Sequence, residues 1–460
     1  MPSIYATDLF CGAGGTSAGI VNACRTAGHS LNLLAVNHWP TAIATHTLNH
    51  PEVRHLCENL DGVNPRLAIP GGRLHLLAAS PECTNHSRAA GGRPRNEQSR
   101  ATAWHVCRWA EALDVSTILI ENVREFMDWG PLGRNGKPLK RKKGKIFHAF
   151  INSLQAIGYT VEHRILTAAD FGDPTTRERL FILATKARGP IAWPTPSHSR
   201  AGATLPRWRS AREIVDWDLK GQSIFRRKKP LCDNTLRRIA AGLRKFGGES
   251  AEPFLVMLYG TNKTRDLSRP APTVTAGGNH IGLCQPFIVQ PDQTGSSGCC
   301  ARSIDQPAFT VVSKQNVALI QPFLTKFHGH HAGKEDGDRR NYPVTEPIPT
   351  LDTANWFALV EPFIVKYYGT GAAKDLASPL DTVTSRDRFL LVDPKSGRSV
   401  AELDILFRML QPHELAAAQG FAKDYQFSGN REDQVKQIGN AVPVNLATAL
   451  ATSLLAQISG

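Results

Sequence analysis

The sequence predicts an α/β protein in which a mostly parallel, doubly wound sheet with helices on both faces is joined to a β-rich region built from repeats. Three observations carry this. Apolar strand-like runs alternate with helical patterns from residue 1 to about 186. A unit of some 33 to 40 residues recurs four times between residues 253 and 394. The chain then returns to helical spacing over its last stretch. Alternation of the first kind is what parallel strands with crossover helices require, and four repeats in register imply units that share a core.

IYATDLF reads as the first strand, followed by a helix near Thr16–Ala27. LNLLAV leads to a helix near Thr41–Leu48, and LHLLAA is followed by a loop and a helix over Ala101–Leu113. STILIE, a helix near Ile146–Ile157, YTVEHRIL and RLFILAT complete the series. These segments make 1–187 a first domain. Residues 188–400 form the middle region. It opens on an irregular Pro-, Arg- and Trp-containing stretch with the basic run FRRKKP, which suits a solvated loop and a specific contact equally well. Its repeats start at EPFLVMLYG, QPFIVQPDQ, QPFLTKFHG and EPFIVKYYG, and continue through RPAPTVT, QPAFTVV, EPIPTLD and SPLDTVT. A scaffold and a DNA-reading role are both open for them. Residues 401–460 are a helical segment returning to the first domain, with Pro443 suited to the first turn of the closing helix.

Composition narrows the class. A chain of 460 residues, 41% hydrophobic, can bury one or two cores. No run approaches the roughly eighteen apolar residues of a membrane span, and the N-terminus reads directly as a strand, so a cytoplasmic protein is expected. A formal net charge of +14 points to a polyanionic partner, of which nucleic acid is the usual one. The nine cysteines are odd in number and none forms a C-x-x-C pair, which argues against a disulfide framework and a zinc site. No metal is expected, and a monomer is the default.

Four motifs carry chemistry. DLFCGAGGTSAG sits on the first strand-to-helix turn, where Gly12, Gly14 and Gly15 let the backbone approach a nucleotide-like ligand; the dinucleotide pattern fails because Ser17 stands where a glycine is needed. SPECTNHS puts Cys83 in the loop beyond a strand's carboxyl end, flanked by polar residues, where open α/β sheets place their sites; a buried structural thiol is the alternative. In ENV, Glu121 follows an apolar run and is either paired or catalytic. In DPTTRERLFIL, Arg177 and Arg179 are two apart and, on one strand, share a face suited to a phosphate and a base carbonyl, or form a basic edge.

Taken together and in this order, these elements resemble the cytosine-5 DNA methyltransferase family, as do RPAPTVT with its copies, HELAAAQGF and GNAVP. The resemblance covers about residues 1–186 and 404–460. It implies a Rossmann-like methyltransferase sheet, a target-recognition region in the middle of the chain, S-adenosylmethionine as cofactor and double-stranded DNA as partner, with base flipping. A prokaryotic or phage-encoded restriction-modification setting goes with it. Residue by residue, Phe10 and the glycine turn hold the cofactor, Trp39 packs on adenine, and Asp61 stands near the adenine amine. Asn440 and Val442 close the methionine side. Cys83 is the nucleophile, Glu121 contacts ring nitrogen 3 and the exocyclic amine, Arg179 contacts the base carbonyl, and Arg177 supports the site. Two positions depart from the family. His38, after Asn37, replaces the acid that holds the ribose hydroxyls, and an imidazole can still hydrogen-bond a hydroxyl. Glu82 replaces the proline before the nucleophile, with Pro81 one residue earlier. The alternatives are a methyltransferase acting on transfer RNA, whose Cys-Phe-Thr signature is absent here, a catalytically inactive DNA-binding relative, and transfer of a larger group from a modified cofactor.

Overall fold

A computed structural model of the chain describes residues 2–82, 101–133, 137–219, 222–224, 227–231, 254–257, 264–273, 281–289, 301–302, 323–326, 341–343, 357–360, 363–366, 373–375, 389–392, 399–401 and 403–459. Cys83 and most of the repeat region lie outside them. The chain forms two compact units: Met1–Asp216 with Ser268–Asn279 and Gln411–Gly460, and Trp217–Leu267 with His280–Leu410.

The first unit is built on β1 (Ser3–Leu9), α1 (Gly15–Ala27), β2 (Ser30–Val36), α2 (Pro40–Asn49), β3 (Arg54–Leu56), α3 (Pro65–Ala68), β4 (Arg73–Ala79), α4 (Trp104–Ala112), β5 (Asp114–Asn122), α5 (Lys145–Ala156), β6 (Thr160–Thr167) and β7 (Glu178–Thr185). Its sheet runs β3-β2-β1-β4-β5-β7-β6. The first five strands of that order are parallel, and β7 is antiparallel to both neighbours, so the mostly parallel sheet expected from the sequence is present with one reversed strand. The helix expected over Ala101–Leu113 starts as a 3-10 turn, Ala101–Ala103, before α4.

Period-2 alternation divides the sheet between two cores. On β5, Ile118 and Ile120 face one side and Leu119 the other; on β7, Leu180 and Ile182 oppose Phe181 and Leu183. One core holds Trp109, Phe126, Trp129, Phe147 and Phe150, with the Phe126 and Trp129 rings 5.1 Å apart. Each such ring contributes roughly 1.5–3 kcal/mol on burial.

The other core is closed by the end of the chain, which adds α6 (Pro412–Ala418), α7 (Arg431–Asn440) and α8 (Val444–Ser459). Ile20 and Ala23 of α1 pack with Leu446, Leu450 and Leu454 of α8. The Asp173 carboxylate accepts hydrogen bonds from the amides of Asn445 (3.1 Å) and Leu446 (3.0 Å) in the first turn of α8. By length and composition alone, Arg431–Ile458 could cross a membrane. It is interrupted between α7 and α8, and its apolar residues belong to this core.

The segment carrying the first Pro-x-x-Thr element also belongs to the first unit. The Ala271 amide donates to the Pro174 carbonyl (2.7 Å), and the Thr176 amide donates to the Ala271 carbonyl (2.9 Å).

In the second unit, which contains the short strand β8 (Gln222–Ser223), the repeats take a common form. β9 (Phe254–Met257) pairs antiparallel with β10 (Thr264–Asp266) and β11 (Ile281–Val289). β13 (Phe323–Lys326) pairs in the same way with β14 (Asn341–Pro343) and β15 (Phe357–Val360), as does β16 (Phe363–Lys366) with β17 (Ala373–Asp375) and β18 (Phe389–Val392). The Pro-Phe strand is central each time. The second copy begins within β11, whose end pairs antiparallel with β12 (Ala301–Arg302).

Candidate functional site

The sheet order reverses between β1 and β4, because the chain leaves β1 for β2 and β3 and then crosses back. Open α/β sheets place ligands at such a switch point, beyond the carboxyl ends of the strands. A cavity of about 550 Å³ lies there.

Its first wall is the exit of β1. Phe10 has φ 60°, the left-handed region, and it is the one non-glycine residue in that region among those described. A bulky side chain held there stores strain of about 1–3 kcal/mol, as happens at binding turns. The turn closes with the Gly14 amide on the Cys11 carbonyl (2.9 Å). Packing, as well as the turn, demands the glycines that begin α1. A Cβ on Gly14 would stand 2.7 Å from the Tyr425 hydroxyl and 2.9 Å from the His46 ring, and one on Gly15 would stand 2.3 Å from the Val442 carbonyl oxygen. Beneath the turn, the Tyr425 hydroxyl donates to the Ala13 carbonyl, and His46 Nδ1 lies 2.8 Å from His55 Nε2. Burial, with His50 and His55 nearby, drives His46 down to about 3.

Just before the turn, Asp8 is fully buried, and its carboxylate accepts from the Ser17 hydroxyl of α1 (2.7 Å). Burial pushes its pKa up to about 7, against the Ser17 hydrogen bonds.

The second wall comes from Val36, Asn37 and His38 at the end of β2. The Asn37 side-chain oxygen accepts from the Trp39 amide (2.9 Å) and so shapes the entry to α2. Trp39 is not among the lining residues; it is half-buried, with the Lys436 ammonium 4.5 Å from its ring centroid. The third wall is the loop Glu58–Asp61 facing α4. His105 Nε2 lies 3.1 Å from Asp61 Oδ1, and the His105 ring lies 6.3 Å from that of Phe10. Burial and the adjacent Arg108 hold His105 below its ordinary range, against the pull of Asp61. The Arg108 guanidinium is spent on the carbonyls of Leu60, Asp61 and Val63, which fixes this loop. The fourth wall is the β4 exit, where Glu82 lines the cavity.

Next to this cavity, β4, β5 and β7 form a second locus. Glu121 ends β5 with 8% of its surface exposed, and its Oε1 lies 3.2 Å from Arg179 Nε. Burial raises the Glu121 carboxyl above its ordinary range, while Arg179 and then Arg177 pull it back. Arg177 precedes β7, is buried, and donates to the Gly439 carbonyl (3.0 Å). The two arginines therefore flank one carboxylate without both standing on the strand. Val442 lines a narrow space with Glu121, Thr16 and Phe181, whereas Asn440 is exposed at the end of α7. The Asn122 side-chain amide donates to the Pro81 carbonyl (3.2 Å) and ties the end of β5 to the loop after β4.

The structure thus gathers Phe10, His38 and Asp61 around one cavity and Glu121, Arg177, Arg179 and Val442 around its neighbour. Sequence reasoning missed His105 and Arg108. Their i, i+3 spacing on α4 was legible, but the loop they engage was not. Among the described residues, no group of three or more His, Cys, Asp or Glu side chains is placed to hold a metal ion.

Comparison with known proteins finds a family model described as C-5 cytosine-specific DNA methylase, matching residues 4–200 and 364–456. The chain is 30% identical over 207 residues to the type II methyltransferase M.AgeI of Thalassovita gelatinovora, covering 43% of this chain and 44% of that protein. It is 24% identical to DNA (cytosine-5)-methyltransferase 1B of Oryza sativa subsp. japonica, covering 97% of this chain and 28% of that protein. The chain spans less than half the length of these two curated relatives. Among solved structures, the methyltransferase EhMeth of Entamoeba histolytica superposes with a TM-score of 0.49 at 12% identity over 99% of both chains.

Proposed function

Because the chain belongs to the C-5 cytosine-specific DNA methylase family, we propose that it methylates carbon 5 of a cytosine flipped out of double-stranded DNA, using S-adenosylmethionine and a transient covalent bond from Cys83. The observation that carries this reading is the Glu121–Arg179 pair, at 3.2 Å, joined through Asn122 to Pro81, two residues before Cys83 in the chain.

The cavity at the switch point fits the cofactor. Its volume of about 550 Å³ falls in the range of small-molecule sites, roughly 300–1,000 Å³. Phe10, Val36 and Leu60 give it apolar surface for a nucleoside, and three carboxylates suit a cationic ligand. Phe10, His38 and Asp61 would hold the group, with the turn through Gly12, Gly14 and Gly15 shaping the floor. Trp39, Asn440 and Val442 belong to the proposed site through the family resemblance. When bound, S-adenosylmethionine supplies an electron-poor methyl group on a sulfonium, which becomes a neutral thioether once the methyl has gone to carbon 5.

The remaining work falls to the chain's own residues. The Cys83 thiolate adds to carbon 6, and the ring's electron pair moves toward carbon 5, which divides one hard step into two easier ones. Glu121, raised above the usual carboxylate range by burial and pulled back by Arg179, contacts ring nitrogen 3 and the exocyclic amine and steadies the charge arriving there. Arg179 serves the base carbonyl, and Arg177 fixes the strand entry through Gly439. After methylation, the carbon 5 proton leaves to water and the Cys83 thiolate is expelled, which restores the ring. Flipping the base costs a few kcal/mol. The net charge of +14 and the exposed run Lys140–Lys143 supply the attraction to phosphates.

The test offers duplex DNA and transfer RNA side by side with radiolabelled cofactor. Label should enter the DNA, vanish in Cys83→Ala, and become trapped on protein when the duplex carries 5-fluorocytosine. Label confined to transfer RNA, or full activity in Cys83→Ala, overturns the reading.

A further inference from the structure

Glu82 stands where the family has proline, and the structure gives it a location that the sequence did not. The residue lines the 550 Å³ cavity together with Phe10, Asp61 and His105. It is half-buried, and no cation pairs with it among the described residues. In sequence it directly precedes Cys83. On the proposed mechanism Cys83 adds to carbon 6 and the methyl is accepted at the adjacent carbon 5, so the methyl-bearing sulfur is expected toward Glu82, the described residue that precedes Cys83 in the chain. Of the carboxylates in the lining, Asp61 is engaged by His105 and Glu58 belongs to the loop after β3. Glu82 alone belongs to the nucleophile's own loop. The cavity's guanidinium, Arg108, is held on the backbone carbonyls of Leu60 and Val63 and forms no ion pair with Glu82 among the described residues.

We infer that Glu82 is a specificity-determining residue for the cofactor: its carboxylate is the counter-charge of the sulfonium and makes the site prefer the cationic methyl donor to the uncharged thioether product. The inference rests on the reading of the cavity as the S-adenosylmethionine site. Donor and product share adenosine and amino-acid parts and differ in the charge on sulfur. The ratio of their affinities therefore cancels every contact that does not depend on that charge, and its change on substituting Glu82 isolates this interaction. A carboxylate in such a position favours departure of the product after each turnover. It also explains how the loop tolerates a negative charge beside a thiol that must ionise, because the bound sulfonium balances it.

The experiment measures binding of S-adenosylmethionine and S-adenosylhomocysteine by titration calorimetry to the unaltered chain, Glu82→Gln and Glu82→Asp. Glu82→Gln should weaken the donor about tenfold and change the product less than about threefold, as expected for losing one unit charge a few ångströms away in a half-buried site. Glu82→Asp should keep most of the preference. Retained product binding shows that the cavity is intact. Equal losses for both ligands, or an unchanged ratio, overturn the assignment of Glu82 while leaving the cofactor site standing. Failure of the unaltered chain to bind either ligand overturns both.

Discussion

Replacing Asp8 by asparagine should remove a pH dependence from the stability of the first unit. Asp8 is fully buried beside the turn that begins at Phe10, and its pKa is raised from 3.8 to about 7 by burial. A folded-state value above the unfolded one means that the protonated form is the one the fold favours. Its contribution is complete below pH 3.8 and is lost as pH rises toward 7. A displacement of about three units corresponds to roughly 4 kcal/mol, at about 1.36 kcal/mol per unit. An asparagine oxygen can still accept from Ser17, so the tie between β1 and α1 survives. Urea unfolding followed by tryptophan fluorescence from pH 4 to pH 8 should show the wild type losing about 4 kcal/mol relative to Asp8→Asn. Asp173, also raised to about 7, titrates in both chains and cancels in the difference. A difference flat across this range would refute the reasoning, as would an Asp8→Asn chain less stable than wild type at pH 8.

Glu121→Gln should lower single-turnover methyl transfer by about 10²- to 10⁴-fold. It should leave unfolding stability at pH 8 no lower, because burial already raises this carboxyl and any contribution it makes belongs to acid pH; a loss of several kcal/mol in urea would mark the pair as structural. Gly15→Ala should destabilise by about 1–3 kcal/mol through overpacking, since its Cβ would stand 2.3 Å from the Val442 oxygen, whereas Gly71→Ala, with nothing within 4 Å, should be neutral in the same denaturation assay. Changing Lys140, Arg141 and Lys142 together to glutamine should weaken binding to all DNA sequences and reduce the slope of log affinity against log salt by up to about 3, read by fluorescence anisotropy.

The first domain was legible because its strands are short apolar runs and its helices have clear periodicity. Strand ends were legible too, so the glycine turn after the first strand and Glu121 could be placed at the carboxyl edge of the sheet, while Phe10 and His38 entered through the family resemblance. What escaped was the chemistry of meeting points. Trp39 reads as an aromatic awaiting a ligand, yet Lys436, nearly four hundred residues on, lies over its ring. Gly15 reads as a turn residue, yet Val442 makes the space too small for anything larger. Arg177 and Arg179 read as one strand face, but only the second lies within β7. The Asp61–His105 pair and the Asp173 cap of α8 join segments whose approach depends on tertiary packing, to which local pattern is blind.

That α8 closes a core begun by α1 has a consequence for biosynthesis. The sheet is complete in sequence by Thr185, but the helix that covers its second face starts at Val444. At about 5–20 residues per second, the ribosome takes roughly 13–50 s to supply it. Throughout that interval the nascent chain displays Ile20, Ala23 and their neighbours without the α8 residues that cover them in the folded chain, a natural landing place for a chaperone and a hazard for any chain cut short before Val444.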